Sequence, residues 1–303
     1  MVSAGYGHTV LLRSDGHVVA VGLKSYGQTD IPPLPLHGGA TYTQISAGFY
    51  HTVFLRSDGQ AVGCGEASLA RREIPPLDVG VKYIQVSAGF CHTAFLRSDG
   101  RAVACGEDRD GRCSIPPTPE DVTYTQVSAG YRHTVLLLSD GSALACGFND
   151  SGQCDIPPLA KGITYTQVSA GHQHTVLLRS DGRAVACGCT DDGQCDIPPL
   201  GDGVRYTQVF AGGIHTVLLR SDGHVVSCGM STLGRCDIPP LSRGLRYTQV
   251  AAGAAHTVLL RSDGEAVACG SNTFGQCSIP PVKSWCDWLW TSPSRLRYIS
   301  DVK

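Results

Sequence analysis

Tryptophan is nearly missing from this chain. Of 303 residues only Trp285, Trp288 and Trp290 are tryptophan, and all three stand near the C-terminal end. Methionine occurs twice, and charged residues make up only 17% of the chain. The 24 Lys and Arg nearly balance the 26 Asp and Glu, for a formal net charge of −2. That balance excludes a global attraction to nucleic acid or to an anionic membrane. No apolar run reaches the roughly 18 residues that a membrane-spanning helix needs. Also missing are the Gly-x-x-x-x-Gly-Lys-Ser/Thr phosphate loop, the Gly-x-Ser-x-Gly elbow and the His-Glu-x-x-His helix, so the usual sequence marks of an enzyme are not there. No cofactor or metal is implied, because no Asp-x-Asp-x-Asp loop or paired Cys-x-x-Cys cluster occurs.

What the chain does have is glycine (37), proline (17) and cysteine (14), arranged with a period. Ala-Gly-x-x-His-Thr recurs with its histidine at His8, His51, His92, His133, His174, His215 and His256. The first interval is 43 residues and each later one is 41. A fixed period in this range, built from short apolar runs and glycine turns, marks a closed repeat architecture.

The unit reads as four strands: Tyr124 to Gly130, His133 to Gly141, Ala143 to Gly147 and Gln153 to Pro158. Each run is β-branched or aliphatic and is bounded by Gly, Asp or Pro. Ser139-Asp140-Gly141 is hairpin chemistry. Ile156-Pro157-Pro158 fits only an edge strand or its exit, because proline cannot donate to a ladder. The fold class predicted is all-β, a seven-bladed β-propeller of four-stranded blades. Six units open on a tyrosine (Tyr42, Tyr83, Tyr124, Tyr165, Tyr206, Tyr247), and the seventh is displaced to Tyr298. The expected domains are therefore a propeller over 1–281 and a Trp-rich segment over 282–303, ending in a ring-closing C-terminal strand. The Trp285, Trp288 and Trp290 cluster reads either as a plug against the ring or as a docking motif.

The repeated residues belong to the scaffold. The seven histidines are expected to bond backbone between neighbouring blades, since sevenfold symmetry spaces them too widely to share an ion. Eleven of the cysteines are repeat positions, and in a chain that opens directly on its repeat they read as reduced thiols, with cross-strand disulfides as the rival.

Function must lie where the repeats differ. The dipeptide before each His-Thr reads Tyr6-Gly7, Phe49-Tyr50, Phe90-Cys91, Tyr131-Arg132, His172-Gln173, Gly213-Ile214 and Ala254-Ala255. Blades 1–4 thus carry aromatics at one equivalent rim position, and adjacent rings with an arginine have the composition of an interface hot spot. Tyr6, Phe49, Tyr50, Phe90, Tyr131 and Arg132 are candidate partner-binding residues. The turn after Cys-Gly is acidic in blades 3–5, which adds Glu107, Asp108, Asp110, Asp191 and Asp192 as candidates facing a basic partner.

Ala-Gly-x-x-His-Thr, Ser-Asp-Gly, Val-x-x-x-Gly and Gly-Gln together resemble the regulator-of-chromosome-condensation repeat, over about residues 2–281. The short units are similar to those of the bacterial β-lactamase-inhibitor propeller, as at Gly27-Gln28-Thr29-Asp30-Ile31-Pro32. The resemblance implies the propeller fold but no single function, because that superfamily includes exchange factors, photoreceptors, ubiquitin-ligase modules and inhibitors. The expectation is a non-enzymatic propeller, monomeric and cytoplasmic or nuclear, that binds a protein partner through one rim face. Regulation of a small GTPase and substrate recognition in a ubiquitin-ligase system are the alternatives.

Overall fold

The structure is a computed structural model, and it describes residues 1–36, 38–66 and 73–281. Tyr298, the ring-closing strand and the three tryptophans lie outside the described residues. Seven antiparallel sheets follow one another along the chain. Blade 1 consists of β1 (Val2–Ala4), β2 (His8–Leu12) and β3 (Val18–Gly22). Blade 4 shows the full unit, with an inner strand Tyr124–Ala129, a middle strand His133–Leu138 and an outer strand Ala143–Gly147.

Each sheet has three hydrogen-bonded strands, not the four expected. The Gln-Cys-x-Ile-Pro-Pro segment makes turns and then runs on without a ladder. Its two prolines have no N–H to contribute, so it cannot extend the sheet. It is held instead by the first tyrosine of the next inner strand: the Tyr165 hydroxyl donates to the Pro157 carbonyl at 2.6 Å, and Tyr42 to Pro32 at 2.6 Å. The tyrosine series is therefore a set of ties between blades.

The core lies between blades rather than within them. Along the middle strand of blade 4, Leu136 and Leu138 pack with Ala94 and Leu96 of blade 3. The alternate residues Val135 and Leu137 pack with Tyr165 and Val168 of blade 5. A period-two strand buried on both faces explains why the run from Val135 to Leu138 is apolar without a break.

The seventh sheet joins the first by the same contacts that join all the others. The Val2 N–H donates to Gln249 Oε1 at 3.0 Å and the Ala254 N–H to the Gly5 carbonyl at 3.1 Å. Val2 and Leu11 share a core with Ala251 and Val258. The ring thus closes between blades 7 and 1 through residues of the repeats themselves.

The histidines differ from expectation in their partner. Each His Nε2 meets the threonine hydroxyl of the next blade, as in His133 to Thr175 at 2.9 Å and His256 to Thr9 at 2.9 Å, closing a circle of seven such bonds. Thr175 spends its one hydroxyl hydrogen on the Gln153 carbonyl at 2.7 Å. The histidine must therefore donate from Nε2 as a neutral ring. Burial pushes His8, His92, His174 and His215 down to about 3, and His133 and His256 to about 4.

None of the thirteen cysteines among the described residues is joined in a disulfide. Most are half-buried and donate to carbonyls, as Cys154 does to Phe148 at 3.4 Å. Burial raises Cys105, Cys146 and Cys187 to about 12, which leaves them protonated and unreactive at neutral pH.

Candidate partner-binding site

The inner strand of each blade ends in Ala-Gly, and the residue after that glycine faces the axis of the ring. One such tripeptide from each blade lines a shallow cavity of about 100 Å³ at one mouth of the central channel. The backbone there is a second closed circle, in which each post-glycine N–H donates to the glycine carbonyl of the next blade. The glycines permit this approach: a Cβ on Gly130 would stand 2.5 Å from the Gly171 carbonyl oxygen.

The variable residues sit on this circle. Tyr6 and Phe49 stack with centroids 3.9 Å apart, and the series continues from Phe49 to Phe90 (4.0 Å), Phe90 to Tyr131 (4.0 Å) and Tyr131 to His172 (4.8 Å). Five rings thus form an arc over blades 1–5, each half-buried, with one edge against its neighbours and another facing the mouth. Gly213 and Ala254 leave the arc open over blades 6 and 7. Tyr50 lies just outside it, edge-on to Phe49 at 4.3 Å and against Tyr26 at 4.4 Å. The opposite mouth, over blades 4–6, is lined by Thr125, Gln126, Thr166, Gln167 and Thr207 together with Leu137 and Leu178, and it is mainly polar.

The acidic turns reach the same face, but their carboxylates are engaged to different degrees. Asp110 binds Arg132 through two bonds of 2.9 Å and also pairs with Arg112. Those arginines hold its carboxyl below the usual carboxylate range. Arg132 also lies 4.2 Å over the Phe148 ring, so it is fixed as part of the wall. Glu107 pairs with Arg109 at 2.9 Å and with Arg112 at 3.5 Å. Asp108 caps its own turn, accepting from Cys113 N at 2.7 Å as Asn149 does from Cys154 N at 2.7 Å. Asp191 is exposed and Asp192 half-buried.

Sequence reasoning missed an outer ring of positions on this face. Tyr26, Leu233 and Phe274 are 46%, 65% and 43% exposed at equivalent points of the turn after the third strand. Phe274 lies 6.5 Å from Tyr6. The signal lies in the same turn that carries the acidic residues of blades 3–5, where blades 1, 6 and 7 have Tyr26, Leu233 and Phe274. His172 was also visible as the fifth member of the rim series. Leu233 is held at φ 64, a left-handed conformation that branched side chains rarely adopt.

A family model described as the regulator of chromosome condensation (RCC1) repeat matches residues 2–28, 42–68, 83–112, 124–153, 165–194 and 247–276. The chain belongs to this repeat family. Blade 6 of this RCC1-repeat propeller falls outside those matches, although its strands keep the same order and register. Comparison with curated protein sequences gave no match. Among solved structures, the chain is similar to Prp20p from Saccharomyces cerevisiae, described with its binding properties to Gsp1p and histones (TM-score 0.70, 17% identity, 84% of this chain and 80% of that one). It is similar to human WBSCR16 (TM-score 0.71, 17% identity, 89% and 86%). It is also similar to the CRINKLY WD40 ectodomain of the Arabidopsis thaliana receptor kinase ACR4 (TM-score 0.69, 20% identity, 89% and 94%). At these identities the likeness is one of fold. No helix among the described residues is long and apolar enough to cross a membrane.

Proposed function

We propose that this RCC1-repeat propeller is a non-enzymatic binding module that holds a protein partner on the aromatic mouth. The observation that carries this reading is the unbroken five-ring arc at positions where the frame itself accepts Gly213 and Ala254. A scaffold that tolerates glycine there has no structural need for stacked rings, and half-buried aromatics beside a fixed arginine are the residues that anchor interfaces. Asp191 and Asp192 lie at the edge of the same face, where charges bias encounter more than affinity. Prp20p, with its binding to Gsp1p and histones, gives a precedent for protein partners on this fold.

The test is quantitative capture from the source cell with wild-type chain and with F49A/Y131A as baits. The double variant is expected to lose its partner at least tenfold, consistent with about 2 kcal/mol per central aromatic, while its melting temperature stays within a few degrees. Equal capture by both baits, or an unfolded double variant, contradicts the proposal. Nucleotide-release kinetics on a panel of small GTPases separates this reading from exchange activity: no acceleration is expected.

A further inference from the structure

Blade 2 carries Arg71, outside the described residues, at the position that closes the turn after the third strand; the other blades have Gln28, Gln153, Gln194 and Gln276 in four cases, and Arg112 and Arg235 in blades 3 and 6. All six side chains are buried. Where it is glutamine, its Oε1 accepts the N–H of the residue two places earlier, as from Ser151 at 3.0 Å and Phe274 at 2.9 Å. In blade 3 the arginine charge is neutralised on the spot, since Glu107 and Asp110 both pair with Arg112.

Blade 6 retains the arginine but not its acids. Met230 stands where blade 3 has Glu107, and Leu233 where it has Asp110. Arg235 is buried, with 5% of the residue exposed, and forms no ion pair among the described residues, although the Asp192 carboxylate of blade 5 is near enough to act on its charge. Its contacts are neutral: Nε to the Thr232 carbonyl at 3.1 Å, Nη1 to the Ala254 carbonyl at 3.3 Å and Nη2 to the Thr232 hydroxyl at 3.4 Å. Three of the five guanidinium donors are used, which leaves one hydrogen on each Nη. Ala254 lines the mouth, so the guanidinium bonded to its carbonyl lies just behind the opening in the aromatic arc, one layer below the lining residues. Its field reaches the last ring of the arc, where burial and Arg235 together hold His172 down to about 4. Burial disfavours the charge, the unpaired Asp192 offsets only part of that, and a buried cation with no paired carboxylate is costly unless something supplies one.

We infer that the mouth recognises a peptide segment carrying an acidic side chain next to an aromatic one, the carboxylate meeting Arg235 and the aromatic lying on the arc formed by Tyr6, Phe49, Phe90 and Tyr131. The inference rests on the proposed function and adds to it the chemistry of the partner. Charge complementarity selects the occupant: a carboxylate accepts a pair of parallel N–H bonds from a guanidinium, and the rings beside it offer apolar faces. Blade 6 has lost the two acids that would otherwise fill that role.

The probes are two synthetic peptides, acetyl-Gly-Phe-Glu-Phe-Gly-amide and its Gln counterpart, titrated into the full chain by calorimetry or NMR. Wild-type protein is expected to prefer the Glu peptide by about tenfold, the range for a hydrogen bond to a charged group. R235Q installs the residue that four other blades carry and so keeps the fold; it should reduce the preference to near unity while the Gln peptide binds as before. M230E/L233D rebuilds the blade 3 pairing and should also abolish the preference with Arg235 still in place. F49A should weaken both peptides alike. A Glu preference that survives R235Q overturns the inference while leaving the aromatic mouth as a binding site. If F49A leaves both peptides unaffected, or wild-type protein binds neither at millimolar concentration, the inference and the mouth's role fall together.

Discussion

Mild acid is expected to unfold this protein well above the range in which its carboxylates titrate. Burial holds six histidines, His8, His92, His133, His174, His215 and His256, at about 3 to 4 against an ordinary value of 6.5. Each is neutral in the folded ring and takes a proton on unfolding, so the unfolded chain binds more protons throughout the window between those values. Stability is therefore full above about pH 6.5 and falls as the pH drops toward the folded-state values. Between pH 7 and 5.5 each site costs about 1 kcal/mol, and six together cost about 6 kcal/mol, comparable to the whole stability of a typical domain. The aspartates of the Ser-Asp-Gly turns, such as Asp99 and Asp140, lie below 3.8 and contribute only at lower pH. Circular dichroism and thermal melts across pH 7.5 to 4 should show a cooperative loss centred between pH 6 and 4.5. A chain that keeps its melting temperature at pH 4.5 would show that the histidine circle is not closed as described.

A single methyl group at the inner circle should also be severe. Gly130→Ala places a Cβ 2.5 Å from the Gly171 oxygen, 2.8 Å from His133 Cε1 and 3.0 Å from the Ala170 Cβ. None of these can retreat, since the first two belong to the two closed hydrogen-bond circles. The expected loss is about 3 kcal/mol or more, at the upper end for overpacking, because the Tyr131 N–H bond to Gly171 at 3.0 Å is broken as well. Gly162→Ala is the control: it meets nothing within 4 Å and carries only the strain of its φ of 82. Urea melts of the two variants should differ by at least 2 kcal/mol, on the same reasoning. Equal melts would mean that the inner circle can spread.

The period and the turn glycines made the ring legible from sequence, because a sevenfold pattern leaves one way to bury each apolar run. The number of strands was less legible. Ile-Pro-Pro has the composition of an edge strand, and only the tyrosine hydroxyl bonds to proline carbonyls reveal that it is anchored without a ladder. The histidine circle was legible as scaffold but not in its partner, since a His-Thr dipeptide gives no sign that the threonine serves the preceding blade's histidine. At the mouth, the rim aromatics were visible as variation against a fixed frame. That Arg132 is clamped by Asp110, and Arg235 left without a paired acid, depends on turns some 20 residues from their partners in the chain. Comparing blade 3 with blade 6 position by position exposes that difference once the turns are known to share a face.

The central claim is that the aromatic mouth, and not the polar one, meets the partner. Its most direct test is site-specific photocrosslinking with benzoylphenylalanine placed at Gln173, exposed beside the arc, or at Thr166, exposed at the opposite mouth. In source-cell extract, the probe at position 173 should give a discrete crosslinked species that is lost on the F49A/Y131A background, and the probe at 166 should give none. Crosslinking from position 166 alone, or a product at 173 that is indifferent to the aromatic substitutions, would contradict the account.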